Sequence, residues 1–375
     1  MVILVNGRFL IPGKLEGIGL YTFEITRRLA ALHPEHHFIV CVDRKSSMQL
    51  DLGPNVEYDH ILPPARHPLL FLWWFEIGIS QAYQRHHADL FFSPDGFCSL
   101  NRKISKTLLV IHDLAYLHYP EQVGFLMRWY YRFFVPRFIK KATGIITVSN
   151  STRSDLIKHF STYESKVSVI YNGVRSENKI LKNTSQKWRI SLENRPYFII
   201  LGSIHPRKNL SNVLRAFTHY KNEVSDDTCL LIVGRMAWKT TQIKDQFEQH
   251  PYRDSILFTG YLDDPEMFKA MKGSLGLVYV SLFEGFGLPL VEAMANGIPI
   301  ITSDRSSMPE IVGKAGLLVN PDQPQSIAQG MIRVRFEKQL TSNLIEKGLM
   351  RARIFSWDRA AEETWTVIRR ITAAL

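Results

Sequence analysis

Residues 275–304 read LGLVYVSLFEGFGLPLVEAMANGIPIITSD and determine the fold class. Two short apolar runs, LGLVYVS and IPIITSD, flank a glycine-bearing loop and a helix-like stretch. Apolar runs that continue without alternation are typical of parallel strands covered on both faces. Pro289 suits the first position of the intervening helix, and Gly297 suits the position after its last residue. The segment therefore predicts a strand, a helix and a second strand of a parallel α/β sheet.

Similar apolar runs recur along the whole chain, each followed by a polar or glycine-bearing turn and a helix-like segment. They are MVILVNG, HFIVCVD, DLFFSPD, TLLVIHD, GIITVSN and VSVIYNGV in the first half, and YFIILGS, CLLIVGR, SILFTGY, LGLVYVS, IPIITSD and GLLVNP in the second. Residues 176–195 between them are polar and basic without a sustained apolar period, which indicates a link between domains. We therefore expect two doubly wound, Rossmann-like α/β domains, at 1–178 and 179–356. A C-terminal helix at 357–375 is expected to pack back on the first domain.

Composition places the chain among globular proteins with a large core, since 45% of its 375 residues are hydrophobic and 22% are charged. The run LLFLWWFEIGI is too short to span a bilayer and contains Glu76. The N-terminus resembles a first strand rather than a signal peptide, and three separated cysteines in apolar stretches indicate buried thiols in a reducing, cytoplasmic compartment. A formal charge of +11 favours an anionic partner such as nucleic acid, a membrane surface or a phosphorylated substrate.

The loop and helix of the opening segment are suited to a nucleotide sugar. Glu284 lies in the loop and Glu292 about one turn into the helix, so that both carboxylates can edge one cavity and accept hydrogen bonds from hydroxyls. The amides of Phe286, Gly287 and Leu288 would point out of the helix N-terminus, a position suited to phosphate. The alternative is a plain strand, turn and helix whose glutamates are merely solvated.

The two glutamates eight positions apart, with PRKN upstream, resemble the retaining glycosyltransferases of family 4. The resemblance covers nearly the whole chain and is strongest at 198–321. It implies the GT-B fold, with two facing Rossmann-like domains and an interdomain cleft. It also implies transfer of a sugar from a nucleotide donor with retained anomeric configuration, without a metal or another cofactor.

Residues after other strand ends extend the predicted site, because ligands of open α/β sheets lie beyond the carboxyl ends of the strands. Arg207 and Lys208 follow YFIILGS and would hold the diphosphate as the sugar leaves. His112 and Asp113 follow TLLVI. A histidine there is as often an ordinary loop residue, but the resemblance implies that His112 contacts the donor sugar near the reacting carbon and that Asp113 lies in the donor site.

Glycine turns supply the remaining candidates for donor binding. GKLEGIGLYTFE resembles the N-terminal glycine loop of the family, which brings Gly17 and Gly19 close to the diphosphate or acceptor, although a plain tight turn fits equally well. By resemblance, Gly234 in VGRM and Tyr261 in FTGYLDD flank the base. Some relatives carry an arginine where Ser203 stands here. Phosphate binding would therefore depend more on Arg207, Lys208 and the amides at the start of the helix.

The expected mechanism is front-face substitution, in which the departing phosphate oxygen takes the proton of the acceptor hydroxyl. Glu284 would bind sugar hydroxyls and Glu292 the ribose. HDLAYLHYPE together with PRKN resembles the bacterial mannosyltransferases, which makes GDP-mannose the first expectation and a UDP-hexose the alternative. The acceptor would be a glycan or a lipid-linked saccharide in O-antigen, capsule or exopolysaccharide synthesis. A non-catalytic relative that binds an anionic ligand is the other alternative.

Residues 125–144, FLMRWYYRFFVPRFIKKATG, interleave aromatic and basic side chains. An interfacial surface at the inner face of the cell membrane and a core helix with a basic outer face both fit this pattern. The histidines of HPEHHF indicate an exposed turn rather than a metal site. An NAD-dependent oxidoreductase is disfavoured because no G-x-G-x-x-G turn follows the first strand, and nucleic-acid binding because the basic residues are dispersed outside any recognised module.

Overall fold

The computed structural model describes residues 1–65, 68–160, 164–175, 188, 192, 194–235 and 241–373. They form two compact units, Met1–Gly173 with Ser356–Leu375, and Val174–Phe355. The sequence places the junctions at 178 and 356, whereas the contacts place them at 173 and 355. Gly173 contacts the first unit, since a Cβ added at Gly173 would lie 2.2 Å from the backbone nitrogen of Trp357. Arg175 pairs with Asp264 of the second unit. The first junction therefore lies between Gly173 and Arg175.

The first unit is built on a parallel sheet in the order β3-β2-β1-β4-β5-β6-β7. Its strands are β1 (Val2–Asn6), β2 (His37–Val42), β3 (Val56–His60), β4 (Leu90–Ser93), β5 (Thr107–Ile111), β6 (Gly144–Thr147) and β7 (Val167–Val169). The α-helices before the junction are α1 (Ile18–Leu32), α2 (Pro68–Trp73), α3 (Ile79–Arg85), α4 (Ala115–His118), α5 (Phe125–Lys141) and α6 (Asn150–Phe160). A π-helical turn, Trp74–Gly78, joins α2 to α3.

The second unit has a parallel sheet in the order β10-β9-β8-β11-β12-β13. Its strands are β8 (Tyr197–Leu201), β9 (Cys229–Val233), β10 (Ile256–Gly260), β11 (Gly276–Tyr279), β12 (Ile300–Ser303) and β13 (Gly316–Val319). Its α-helices are α7 (Leu210–Glu223), α8 (Thr241–Glu248), α9 (Asp264–Lys272), α10 (Leu288–Ala295), α11 (Met308–Val312), α12 (Pro324–Phe336) and α13 (Lys338–Ala352). The last helix, α14 (Trp357–Ala373), returns to the first unit.

Both sheets are covered on both faces, which is why their strands appear as unbroken apolar runs in the sequence. Every residue of β5, β8 and β9 is buried. The prediction of two doubly wound, Rossmann-like domains is confirmed. Among the described residues, no helix is both long enough and apolar enough to cross a bilayer.

The strand order of the second unit reverses between β8 and β11, which pair in parallel. A crevice opens beyond the carboxyl ends of two strands at such a reversal, because their following connections leave in opposite directions. The loops after β8 and β11 are therefore the first place to look for a site in this unit.

Candidate functional site

An ion pair joins the loops that follow β8 and β11. Lys208 ends the short 3-10 turn Pro206–Lys208 after β8, and Glu284 lies in the loop after β11. The Lys208 Nζ lies 2.7 Å from Glu284 Oε1 and donates a second hydrogen bond, of 2.8 Å, to Tyr279 Oη. The two charged side chains are only 17% and 10% exposed. Two residues predicted from separate motifs thus meet at the point where the strand order reverses.

The electrostatics of this pair keep both members charged. Burial alone would raise the pKa of Glu284, but the charges of Lys208 and Arg207, with hydrogen bonds from Lys208 and Ser281, lower it to about 2. Burial acts on Lys208 in the opposite sense and would lower its pKa, but Glu284 and Tyr279 raise it above its ordinary value. The cation and the carboxylate therefore coexist over the whole physiological pH range.

The basic turn itself is anchored to the end of the sheet. His205 Nδ1 accepts a hydrogen bond of 3.3 Å from the Arg207 amide at the start of the turn. Asn209 follows in the left-handed conformation, with φ of 59°, and its buried amide group donates to the carbonyls of Val280 and Pro321 at 3.1 and 2.7 Å. This anchoring fixes the position of Arg207 and Lys208 at the strand ends.

Two serines after β12 hold the loop that carries Glu284. Ser306 Oγ accepts from the Glu284 amide at 3.2 Å, and Ser307 Oγ lies 2.9 Å from the Glu284 carbonyl and 3.1 Å from the Phe286 carbonyl. Helix α10 then begins at Leu288, one residue before the predicted Pro289. Its N-cap is Gly287 with φ of 97°, a conformation that favours glycine and leaves the start of the helix without a capping side chain.

Glu292, the second glutamate of the motif, is 2% exposed and faces a different partner. Its Oε1 lies 3.3 Å from Nε of Arg175, which also pairs with Asp264. Burial raises the pKa of Glu292, the Arg175 charge opposes this increase, and Asp264 adds to it. Glu292 is thus a buried carboxylate whose ionisation depends on one arginine.

The ends of β9 and β10 bring together the candidates predicted to flank the base. Gly234 has φ of 152°, and a Cβ at this position would meet the Gly202 carbonyl oxygen at 2.0 Å, so the close approach of the ends of β8 and β9 requires glycine. The Arg235 guanidinium lies over the half-exposed ring of Tyr261, 4.2 Å from its centroid. An arginine stacked on an exposed aromatic ring offers a flat surface to a planar group.

His112 and Asp113 lie in the first unit, directly after β5. His112 Nε2 is 2.7 Å from the Pro94 carbonyl oxygen and therefore donates to it. Burial lowers the pKa of His112, so the imidazole is neutral and its Nδ1 carries the lone pair. Asp113 accepts from the Ala115 amide at 3.0 Å, which fixes the turn into α4.

The two N-terminal glycines have different surroundings. Gly17 is the N-cap of α1 with φ of 49° and has no heavy atom within 4 Å of an added Cβ. At Gly19, by contrast, an added Cβ would meet the Phe9 carbonyl oxygen at 2.5 Å. Contact with its own chain is thus sufficient to explain glycine at position 19.

Sequence reasoning missed several residues that the structure brings to these places. Tyr279 belongs to a strand and resembles any core aromatic residue, and Arg175 lies at the edge of the polar linker, far from Glu292 in sequence. Ser306 and Ser307 in TSDRSSMPE carry a weak signal, since hydroxyl residues after a buried strand often bind neighbouring loop backbone. These side chains reach the glutamates through the folding of the chain, and their spacing in the sequence does not show it.

Two family models match consecutive parts of the chain. The model described as Glycosyltransferase Family 4 matches residues 15–178, and the model described as Glycosyl transferases group 1 matches residues 182–350. The second match contains the basic turn, both motif glutamates and the strand ends after β9 and β10.

Two relatives agree with these matches, and one solved structure has a similar fold. The chain is 25% identical to the O-antigen chain mannosyltransferase B of Escherichia coli over 94% of its own length and 96% of that protein. It is 29% identical to the O-antigen chain mannosyltransferase RfbU of Salmonella typhimurium over 58% of each chain. The structure of sucrose-phosphate synthase from Thermosynechococcus elongatus superposes with a TM-score of 0.79 at 18% identity, covering 100% of both chains.

Proposed function

We propose that this chain, which belongs to the family 4 glycosyltransferases, transfers mannose from GDP-mannose to a glycan or lipid-linked saccharide acceptor in polysaccharide synthesis. Glycosyl transfer itself follows from the two family matches, which together leave little of the chain uncovered. Two relatives named as O-antigen mannosyltransferases support mannose as the sugar and O-antigen as the class of product. A UDP-hexose donor is the alternative, and calorimetry with GDP and UDP distinguishes the two.

One observation carries the proposal: a lysine that is only 17% exposed and a buried glutamate meet beside the start of α10, at the strand ends where a diphosphate would lie. A diphosphate placed there would meet the charges of Lys208 and Arg207 and the first amides of the helix. Lys208 would then exchange its carboxylate partner for a phosphate oxygen. Glu284, released from Lys208, would accept hydrogen bonds from the sugar hydroxyls.

The remaining parts of the donor have proposed partners in the same unit. Glu292, which is paired with Arg175, would accept hydrogen bonds from the ribose hydroxyls. The stacked pair of Arg235 and Tyr261, together with the backbone at Gly234, flanks the base. Each of these groups lies at a strand end or at the helix that follows one, as expected for a nucleotide site of a doubly wound sheet.

The proposed chemistry is a front-face displacement with retained configuration. The acceptor hydroxyl oxygen forms the new bond to the anomeric carbon, the bond to the diphosphate oxygen breaks, and the departing phosphate oxygen takes the hydroxyl proton. Lys208 and Arg207 neutralise the charge that develops on the diphosphate, a role that needs no metal ion. The proposed sugar contact of His112 rests on the family resemblance, and the lone pair of its neutral imidazole can accept a hydrogen bond from a hydroxyl.

We also propose that α5 contacts an anionic membrane surface. Phe125 and Trp129 are 80% and 55% exposed, and Leu126 and Phe133 are exposed beside them. Three arginines on the same helix, at positions 128, 132 and 137, are exposed as well. An exposed aromatic stripe edged by arginine is the composition that binds lipid headgroups and the outer acyl region. Tyr130 and Phe138 are buried, so α5 also contributes to the core.

Calorimetry with GDP, UDP, ADP and dTDP in the presence of EDTA tests the donor assignment. The expected result is preferential binding of GDP by the wild-type chain, weakened at least tenfold in Glu292→Gln. Preference for UDP would keep the reaction class and replace the donor. Absence of binding by all four nucleotides would contradict the donor site, and transfer assays with GDP-mannose and UDP-hexoses on a saccharide acceptor then separate an active enzyme from a non-catalytic relative.

A further inference from the structure

Three side chains in the first unit converge at a place that the transfer reaction does not use. His118 ends helix α4, whereas Asp155 and His159 lie one turn apart on α6. His118 Nε2 lies 2.9 and 2.8 Å from the two carboxylate oxygens of Asp155, and His159 Nε2 lies 3.4 Å from Oδ1. In the part of the chain that the structure describes, the ligand atoms of these three residues are close enough together to bind one metal ion.

The spacing of these donor atoms matches a first coordination shell. Zinc binds histidine nitrogen and carboxylate oxygen at about 2.0–2.2 Å, and ligands at tetrahedral angles around such an ion lie about 3.4 Å apart. The separations between the Asp155 oxygens and the two imidazole nitrogens, 2.8 and 3.4 Å, are close to this value. The ligand atoms of the three residues all lie within 4.8 Å of one another, so one ion can bind all three once their side chains adjust.

The chemistry of the donors selects the class of metal. Two imidazoles and one carboxylate suit Zn²⁺ and its borderline-soft neighbours better than Mg²⁺ or Ca²⁺, which prefer all-oxygen shells. The Asp155 side chain is 14% exposed and the two histidines are about one third exposed. An ion can thus enter from solvent, and water can complete its shell.

We propose that His118, Asp155 and His159 form a Zn²⁺ site that fixes the segment between β5 and α5 to helix α6. The ion would join the last residue of α4 to the final turns of α6. Near the other end of α6, the Thr152 hydroxyl donates to the His112 carbonyl at 3.3 Å. A metal at His118 would therefore hold the segment 112–118 at both of its ends, which gives the ion a structural role.

The ion takes no part in the proposed transfer chemistry, and the proposal does not depend on the donor assignment. The side chains whose substitution tests nucleotide binding belong to the second unit, whereas all three proposed zinc ligands belong to the first. Failure of the zinc site and failure of the donor site are therefore distinguished by separate titrations.

The experiment is a titration of the metal-free full chain with Zn²⁺, followed by calorimetry, and with Co²⁺, followed by its visible absorption. Variants are His118→Ala, Asp155→Asn and His159→Ala, with His37→Ala as the control because His37 is an exposed histidine at the start of β2. Far-UV circular dichroism of each metal-free variant verifies that it is folded. Thermal unfolding with and without Zn²⁺ supplies a second readout, because a ligand of the native state raises the melting temperature.

We expect one Zn²⁺ per chain in the wild type and in His37→Ala, with affinity reduced more than about 100-fold in each of the three ligand variants. Co²⁺ should give the intense absorption of a four-coordinate ion only in the first two proteins. Asp155→Asn keeps the size of the side chain and removes the charge, so its loss of binding would not arise from altered packing. No binding by the wild type, or equal binding by all variants, would overturn the proposal.

Discussion

Lys208 and Glu284 form an ion pair across the ends of two adjacent parallel strands, with Nζ and Oε1 2.7 Å apart. Tyr279, on one of those strands, accepts a second hydrogen bond from the ammonium group. The lysine that the sequence assigns to the diphosphate is therefore balanced by a carboxylate of the same unit. In the proposed function, the Glu284 carboxylate and the donor diphosphate, both anionic oxygen acceptors, would compete for this one cation.

Removing only one member of this pair should cost stability as well as activity. Lys208→Met leaves the buried Glu284 without its closest cation, and breaking such a pair costs about 3–5 kcal/mol. The combined substitution Lys208→Met with Glu284→Gln should recover much of that loss while remaining inactive in transfer. Urea unfolding of the wild type, Lys208→Met, Glu284→Gln and the double variant measures the coupling free energy between the two side chains. Equal stability of both single variants and the wild type would contradict a paired buried site.

The depressed pKa of Glu284 predicts a specific loss of stability in acid. A carboxyl whose pKa is about 2 in the folded chain stabilises the fold above its ordinary value of 4.5, and this contribution disappears as the pH falls from 4.5 towards 2. Glu284→Gln should flatten the unfolding free energy over that range. The exposed Glu346 of α13 is the control, since Glu346→Gln should keep the wild-type acid limb.

Arg175 should set the pH dependence of nucleotide binding through Glu292. Burial raises the pKa of Glu292, and the Arg175 charge opposes that increase. In Arg175→Ala the pKa rises further, so the protonated form that accepts fewer hydrogen bonds persists to higher pH. Calorimetry with GDP over a series of pH values measures this effect: as the pH is lowered, the affinity should begin to fall at a higher pH in Arg175→Ala than in the wild type. Arg333→Ala, on the exposed face of α12, should leave the profile unchanged.

Alanine substitutions at two glycines should have different effects on the free energy of unfolding. Gly234→Ala brings a Cβ within 2.0 Å of the Gly202 carbonyl, which forces the ends of β8 and β9 apart and should cost about 1–3 kcal/mol or more. Gly348→Ala lies within α13 and meets Met294 at an ordinary 3.5 Å, so it should be neutral or stabilise by about 0.5–1 kcal/mol. Thermal unfolding of both variants checks the two directions. A stable Gly234→Ala chain would exclude the close strand approach.

The α5 surface predicts binding to vesicles that contain anionic lipid. Phe125→Ser combined with Trp129→Ser should reduce cosedimentation with phosphatidylglycerol vesicles and leave GDP affinity unchanged. Leu349→Ser with Met350→Ser removes two exposed apolar side chains from α13 and is the matched control. Added salt should weaken binding of the wild type, since the arginines contribute through screened charges. Equal sedimentation of both double variants would contradict the membrane assignment.

The sequence was sufficient for the architecture because each strand carries its own signal. YFIILGS predicted β8 and LGLVYVS predicted β11, since a strand covered on both faces must be apolar throughout. The helix after β11 was also predictable, and its start moved by one residue because Gly287 adopts the left-handed cap.

Residues of the candidate site could be proposed from the sequence only where they lie in local motifs. Glu284, Glu292, Arg207 and Lys208 belong to such motifs, but their partners Tyr279 and Arg175 do not. The cluster of His118, Asp155 and His159 was not predicted for the same reason. Asp155 and His159 are four residues apart on one helix, but His118 comes from another element. Contacts across the sheet depend on strand order, which no local pattern records.

The return of α14 to the first unit affects how the chain folds during synthesis. Trp357 packs on Tyr21 with ring centroids 5.9 Å apart, and Ile371 lies against Gly144, so this helix covers parts of α1 and β6. The second unit is continuous from Val174 to Phe355 and is synthesised completely before the ribosome reaches Trp357. Although its sheet emerges first, the first unit is thus completed last, and until then its uncovered apolar face is exposed to chaperones and to aggregation.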